Sequence, residues 1–182
     1  SILVETEHVE LTHTDRNTGI DLGIKDLCIT SKGKKYENPK TIRKYEKKLA
    51  KLQRQLAHKK KRSQNYNKIK KKIALCHEKI TNTRKDYLHK ISHEIISENQ
   101  VIVSENLQIQ NMVKDHHLAK AISDVSWYEL TRQLEYKAKW NGRKYIKIDT
   151  FYASSQLCSV CGYQNTEIKD LSIREMNLSG EK

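Results

Sequence analysis

Two acids and a pair of thiols are the residues in this 182-residue chain whose types and spacing could do chemistry. Asp21 stands in Gly19-Ile20-Asp21-Leu22-Gly23, flanked by apolar residues of a strand-like run. An ionised acid is costly to bury there unless it is paired or binds a metal. Glycines on both sides would let the backbone bend or a ligand come close. The alternative is an acid that caps a strand or pairs with a lysine. Glu105 closes Val101-Ile102-Val103-Ser104-Glu105 and shares strand parity with Val101 and Val103. It falls at the C-terminal end of its strand, where open α/β sheets place their sites, although a strand-end acid is also routine. On neighbouring strands the two carboxylates could hold Mg²⁺ or Mn²⁺, because hard oxygen donors suit those ions and not zinc. Such a site normally has a third carboxylate.

Cys158-x-x-Cys161-Gly162 has the form of a zinc knuckle, in which backbone N–H groups support two thiolates. A redox pair is the alternative, but that pair normally opens a helix, and Cys161-Gly162-Tyr163-Gln164-Asn165 lacks helix-start character. Cys28 and Cys76 fall in a strand and in a helix stripe and read as core fillers.

Composition narrows the classes. Net charge is +13 with a pI near 9.5, and mean hydropathy is −0.82. Charge of that sign and size points to a polyanion, either nucleic acid or an anionic membrane. No apolar run approaches a membrane span, and no signal-like segment is present. Four cysteines in a chain this long and basic do not form a disulfide framework, so a reducing cytoplasm is expected.

The elements that must position these residues follow from periodicity. Ser1–Leu11 alternates in part, and strand, turn, strand is expected from Thr18 onward, with Ser31-Lys32-Gly33 at a hairpin bend. Asn38 and Pro39 predict a helix start. Ile42, Tyr45, Leu49, Leu52 and Leu56 step by three and four, and after a polar break Tyr66, Ile69, Ile73, Cys76, Ile80, Thr83 and Tyr87 do the same. Two such stripes predict an antiparallel helical hairpin. About 19 of the 35 basic residues lie between Lys40 and Lys90, against Glu46, Glu78 and Asp86. Lys59, Lys60, Lys61, Arg62, Lys68, Lys70, Lys71 and Lys72 are the candidate nucleic-acid contacts; the alternative is a solvated helical face. A strand follows over 100–109 and a helix over about 116–140, with Ser126-Trp127-Tyr128-Glu129 as a capping box and Gly142 as the stop. Residues 143–151 form a further strand. The alternation implies an α/β fold with a mixed sheet covered by helices.

With these residues in view, the chain resembles the TnpB/OrfB family, the transposase-type proteins of bacterial insertion sequences, related to type V CRISPR effectors. The likeness runs in order from "GIDLGIKDLCITSKG" through the basic hairpin, "VIVSENLQIQ", "AISDVSWYELTRQLEYKAKWNGRKYIKIDTFYASSQLCSVCG" and "LSIRE". It implies a RuvC-like RNase H fold with an inserted zinc ribbon, acting as an RNA-guided DNA endonuclease through metal ions. On that reading Asp21 and Glu105 are catalytic metal ligands, and Cys158 and Cys161 are the first half of a zinc site. Residues 1–39 and 98–151 then form the RuvC-like core, 40–97 the basic hairpin and 152–182 the partial ribbon. DNA and guide RNA are the expected partners, and no membrane is. The family's second cysteine pair and third catalytic Asp have no counterpart after Arg174-Glu175, nor has its N-terminal guide-binding region before Ser1. The expectation is a chain truncated at both ends and inactive alone. A nuclease-dead DNA- or RNA-binding regulator and a decaying gene fragment are the alternatives.

Overall fold

The structure is a computed structural model that describes residues 5, 9–107, 126–149 and 163. The chain divides into two units, Ser1–Ile148 and Asp149–Lys182, and the fold below is that of the first. Its strands are β1 (Asn17–Leu22), β2 (Asp26–Thr30), β3 (Lys35–Glu37), β4 (Val101–Glu105) and β5 (Lys144–Ile148). Its helices are α1 (Thr41–Ala57), α2 (Gln64–Glu98) and α3 (Trp127–Trp140). The strands make one sheet in the order β3-β2-β1-β4-β5. The first three are antiparallel neighbours, while β1–β4 and β4–β5 are parallel.

Strand alternation decides which face is covered. In β1, Thr18, Ile20 and Leu22 are buried while Asn17 and Asp21 are exposed. In β4, Ile102 and Ser104 are buried and Glu105 is exposed. Ile20, Leu22, Leu27, Cys28 and Ile102 join Leu88, Ile91, Ile95 and Ile96 of α2 and Leu130, Leu134 and Ala138 of α3 in one core. Leu27 and Cys28 are both buried although consecutive, because the β2–β3 register shifts between Asp26 and Cys28. Such a bulge lets neighbours share a face.

The two helical stripes meet as expected. Leu52, Cys76 and Ile80 form a second, smaller cluster with Ile42, Tyr45, Leu49 and Ile73. Ser63 caps α2, its hydroxyl accepting from Tyr66 N at 3.2 Å. α2 then runs unbroken to Glu98, so one helix serves both clusters. Between α2 and α3 lies a buried polar chain. Ser92 donates to Gln133 Oε1 at 2.9 Å, Gln133 donates to Glu129 Oε1 at 2.9 Å, and Lys137 Nζ donates to Ser92 Oγ at 2.7 Å. Burial lowers the Lys137 pKa. Arg132, followed by Gln133, donates to Glu129 and holds its carboxyl down to about 2.

Three local expectations are corrected. Asn38 does not cap α1: the cap is Lys40, in the left-handed region at φ 45°, and Asn38 Oδ1 accepts instead from Lys40 N at 3.0 Å. Ser126 precedes α3 but at φ 56° its side chain makes no cap bond, and Glu129 turns to Arg132 and Gln133, so no capping box forms. Of the alternating stretch Ser1–Leu11, residues 5 and 9–11 are described and are not in a strand, and the rest lies outside the described residues. Just after it, Arg143 Nη2 donates to Thr12 O at 2.8 Å and Thr14 N to Gln100 Oε1 at 3.3 Å, so side chains hold residues 12–14. Gly142 does end α3, at φ +65°, with Arg143 N donating to Ala138 O at 2.8 Å.

Leu134 is fully buried and Leu75 is 53% exposed. Leu134→Ala should therefore cost about 2–5 kcal/mol in urea unfolding, and Leu75→Ala within about 0.5 kcal/mol of zero. The Glu129 contribution is sensitive to acid. Its folded pKa is depressed, so its stabilisation is present above the ordinary value of 4.5 and is lost as pH falls from there toward about 2. The stability gap between the parent and Glu129→Gln should close across that window in pH-dependent thermal melts.

Candidate functional site

The register of β1 on β4 sets the geometry of the acids. Gly19 lies beside Val103 and Ile20 beside Ser104 in parallel pairing. Asp21 and Glu105 are the next residue on each strand, so they sit side by side on adjacent strands, about 4.8 Å apart at the backbone. Both point away from the helices, by the same alternation that buries Ile20 and Ser104. Together with Gly19, Ile29, Ser31, Val103 and Ile148 they line a shallow cleft of about 280 Å³.

The cleft wall is otherwise apolar or neutral. Ser31 N donates to Gly19 O at 2.8 Å, and Gly19 N donates to the Ser31 hydroxyl at 3.1 Å, so the rim is held at two points. None of the described lining residues is basic. Among the described residues no ion pair involves Asp21 or Glu105. Beneath them Cys28 is buried, and burial, reinforced by the Asp21 charge, pushes its thiol up to about 12. It is an inert core residue, as is Cys76 in α2. Gly23 is confined for a local reason: a Cβ there would come within 3.0 Å of Asp26 O. Gly19 would meet only the Ser31 Cβ, at 3.8 Å, so it leaves the cleft floor low without bending the strand.

Two carboxylates converging on one cleft, with no ion-pair partner among the described residues, fit a hard divalent cation by donor chemistry. No third His, Cys, Asp or Glu stands with them among the described residues. Glu105 also borders a second cavity of about 220 Å³, with Tyr128, Thr131, Arg132, Glu135 and Lys147 on its walls. Lys147 pairs with Glu135 at 2.8 Å there.

The eight basic candidates lie elsewhere. Lys59, Lys60, Lys61 and Arg62 occupy the link between α1 and α2, and Lys68, Lys70, Lys71 and Lys72 the opening turns of α2. All eight are exposed. Cys158 and Cys161 lie outside the described residues. No described helix is long and apolar enough to cross a membrane.

A family model described as OrfB_IS605, "Probable transposase", matches residues 1–116. The chain belongs to this family. A second model, "Cas12f1-like, TNB domain", matches residues 127–179 and so includes both knuckle cysteines. A Streptomyces pristinaespiralis protein named "Putative RNA-guided DNA endonuclease" is 42% identical over 96% of this chain and 43% of its own length. An Escherichia coli relative, InsQ, with the same descriptive name, is 36% identical over 92% of this chain and 45% of its own. The chain thus spans less than half the length of these relatives. A chain of the cryo-EM structure of a Cas12f1-sgRNA-target DNA complex shares the fold at TM-score 0.54 and 20% identity, over 86% of this chain and 41% of that one. A CRISPR-Cas12f ternary complex does so at 0.55 and 21%, over 92% and 34%.

Tyr128, on the exposed side of α3, also borders the cavity beside Glu105 and was not among the residues singled out from the sequence as a site.

Like charges on adjacent strands destabilise the sheet by about 0.2–1 kcal/mol. In EDTA, Asp21→Asn should therefore raise Tm by about 1–3 °C, and Glu105→Gln should add little once Asp21 is neutral. A fall in Tm for Asp21→Asn would show that the acid has a stabilising partner instead.

Proposed function

We propose that this chain carries the RuvC-like, RNase H-type core of an RNA-guided DNA endonuclease, with Asp21 and Glu105 as its metal-holding acids. The single observation that carries the reading is their adjacency on parallel strands β1 and β4, on the sheet face away from α2 and α3. The strand order β3-β2-β1-β4-β5, antiparallel on one side of β1 and parallel on the other, supports the RNase H-type assignment. Residues 1–39 and 98–151 would form this core, 40–97 the basic arm and 152–182 a zinc-ribbon portion. Relatives named as RNA-guided DNA endonucleases and structural neighbours bound to sgRNA and target DNA support guide RNA and DNA as partners, in what would be a bacterial cytoplasm.

The division of labour follows from the side chains. Asp21 and Glu105 would hold Mg²⁺ or Mn²⁺ through carboxylate oxygens and aim it at a phosphate laid across the cleft. A divalent ion in such a place neutralises developing phosphoryl charge and makes bound water more acidic. Two carboxylates alone grip a divalent ion weakly, so affinity at this pair is expected to be low. Cys158 and Cys161 would supply two of the four donors that zinc takes in a structural site. The exposed lysines of the α1–α2 link and of early α2 would track phosphates without reading sequence.

Two measurements test this. Titration with Mn²⁺ should raise the Tm of the parent and leave Asp21→Asn/Glu105→Gln unmoved; an equal shift in both removes the acid pair from the metal site. Binding to DNA should weaken steeply with salt. In Lys70→Ala/Lys71→Ala/Lys72→Ala the slope of log affinity on log salt should become shallower by roughly 2–3. An unchanged slope places the phosphate contacts elsewhere.

A further inference from the structure

The α1–α2 arm leaves a groove open along its seam, with a cavity of about 610 Å³ floored by the buried Leu52 and Cys76. One wall is α1, where Tyr45, Lys48, Leu52 and Gln55 step by three, four and three. The other is α2, where Lys72, Leu75 and Lys79 step by three and four. Such steps keep each set on one side of its helix. From Tyr45 to Gln55 the α1 wall is about 15 Å long, nearly three helical turns. Leu75 is 53% exposed although Cys76, next to it in the chain, is buried. Lys48, Lys51, Lys72 and Lys79 are exposed around it, and no acid lines the groove among the described residues. Among those residues, none of the four lysines makes an ion pair.

We propose that this groove seats an acidic amphipathic α-helix of a protein partner, its apolar stripe on Leu52, Leu75 and Cys76 and its flanking acids on the four lysines. The inference rests on the arm alone and is independent of the reading of Asp21 and Glu105. Two helices bury only the sides they turn to each other, and the buried members of the arm's cluster are Leu52, Cys76 and Ile80. A third helix laid in the groove completes a three-helix core and takes Leu75 out of water. Charge selects the occupant. A chain of net charge +13 repels a second copy of itself and any other basic surface. Nucleic acid would satisfy the lysines, but it offers nothing to Leu75, which stands between Lys72 and Lys79 on the same side of α2. An acidic helix answers both, with apolar side chains three and four residues apart on the floor and carboxylates at the rims. Lys72 also belongs to the proposed phosphate-tracking set, so a seated helix and a nucleic acid would compete for it.

The probe is a peptide of roughly 20 residues, long enough to be helical, with leucines at alternating third and fourth positions and glutamates on both flanks. Its control has the same composition and helicity, with the leucines spread around the helix. In fluorescence anisotropy with the full chain, the striped peptide should bind about tenfold tighter than the control. Leu75→Ala should lose about that factor for the striped peptide alone, with Tm and oligonucleotide affinity unchanged. Leu75→Met, which keeps the side-chain volume, should retain most of the binding. Lys48→Ala/Lys51→Ala should weaken both peptides and flatten their salt dependence. Equal affinity for the two peptides, or striped-peptide affinity unmoved by Leu75→Ala, overturns the helix seat and leaves the lysines a general polyanion surface. An equal loss of oligonucleotide affinity in Leu75→Ala also overturns it and assigns the groove to nucleic acid.

Discussion

Parallel pairing of β1 with β4 is the constraint on which the rest depends. Gly19 beside Val103 and Ile20 beside Ser104 fix the register. A slip of one residue would turn every side chain of one strand to the opposite face. The slip is opposed by Ile20, Leu22 and Ile102, which α2 and α3 bury on one side of the sheet. Hydrophobic burial on that side thus holds two like charges together on the other, in an arrangement that electrostatics alone would oppose. The Ser104 hydroxyl shares a 2.6 Å hydrogen bond with Tyr145 of β5, so the polar residue on the buried side of β4 is satisfied and the strand ends cleanly at Glu105.

The electrostatic design separates two tasks in space. Among the described residues the cleft holding Asp21 and Glu105 has no basic lining, whereas exposed lysines gather on the α1–α2 arm. Were the lysines beside the acids, they would neutralise them and compete with any cation. α2 joins the two regions, with Cys76 and Ile80 in the arm's cluster and Leu88, Ile91, Ile95 and Ile96 in the sheet's core.

Much of this was legible in the sequence, for reasons that can be named. The strand alternation around Asp21 and Glu105 and the three-four spacing of both helical stripes are local patterns, and local patterns survive folding when one face is buried. Gly142 was legible because a left-handed turn after a helix favours glycine. The failures share a different cause. Lys40 and Ser126 adopt left-handed backbone conformations at helix starts, where a β-region cap is the rule, and nothing in their chemistry announces it. Residues 12–14 follow no period, and what holds them is Arg143 and Gln100, side chains far along the chain.

The length of α2 has a consequence for how the molecule yields. Its 35 residues span about 52 Å, but its two halves are anchored very unequally. The inner half is locked among strands and α3, while the outer half rests on a seam a few side chains wide and carries crowded positive charge. Opening should therefore start at the far tip and travel inward, stopping where Leu88 enters the interior. A bound polyanion at that tip would quench the internal repulsion and stiffen the arm, so occupancy and rigidity rise together without any rearrangement of the sheet.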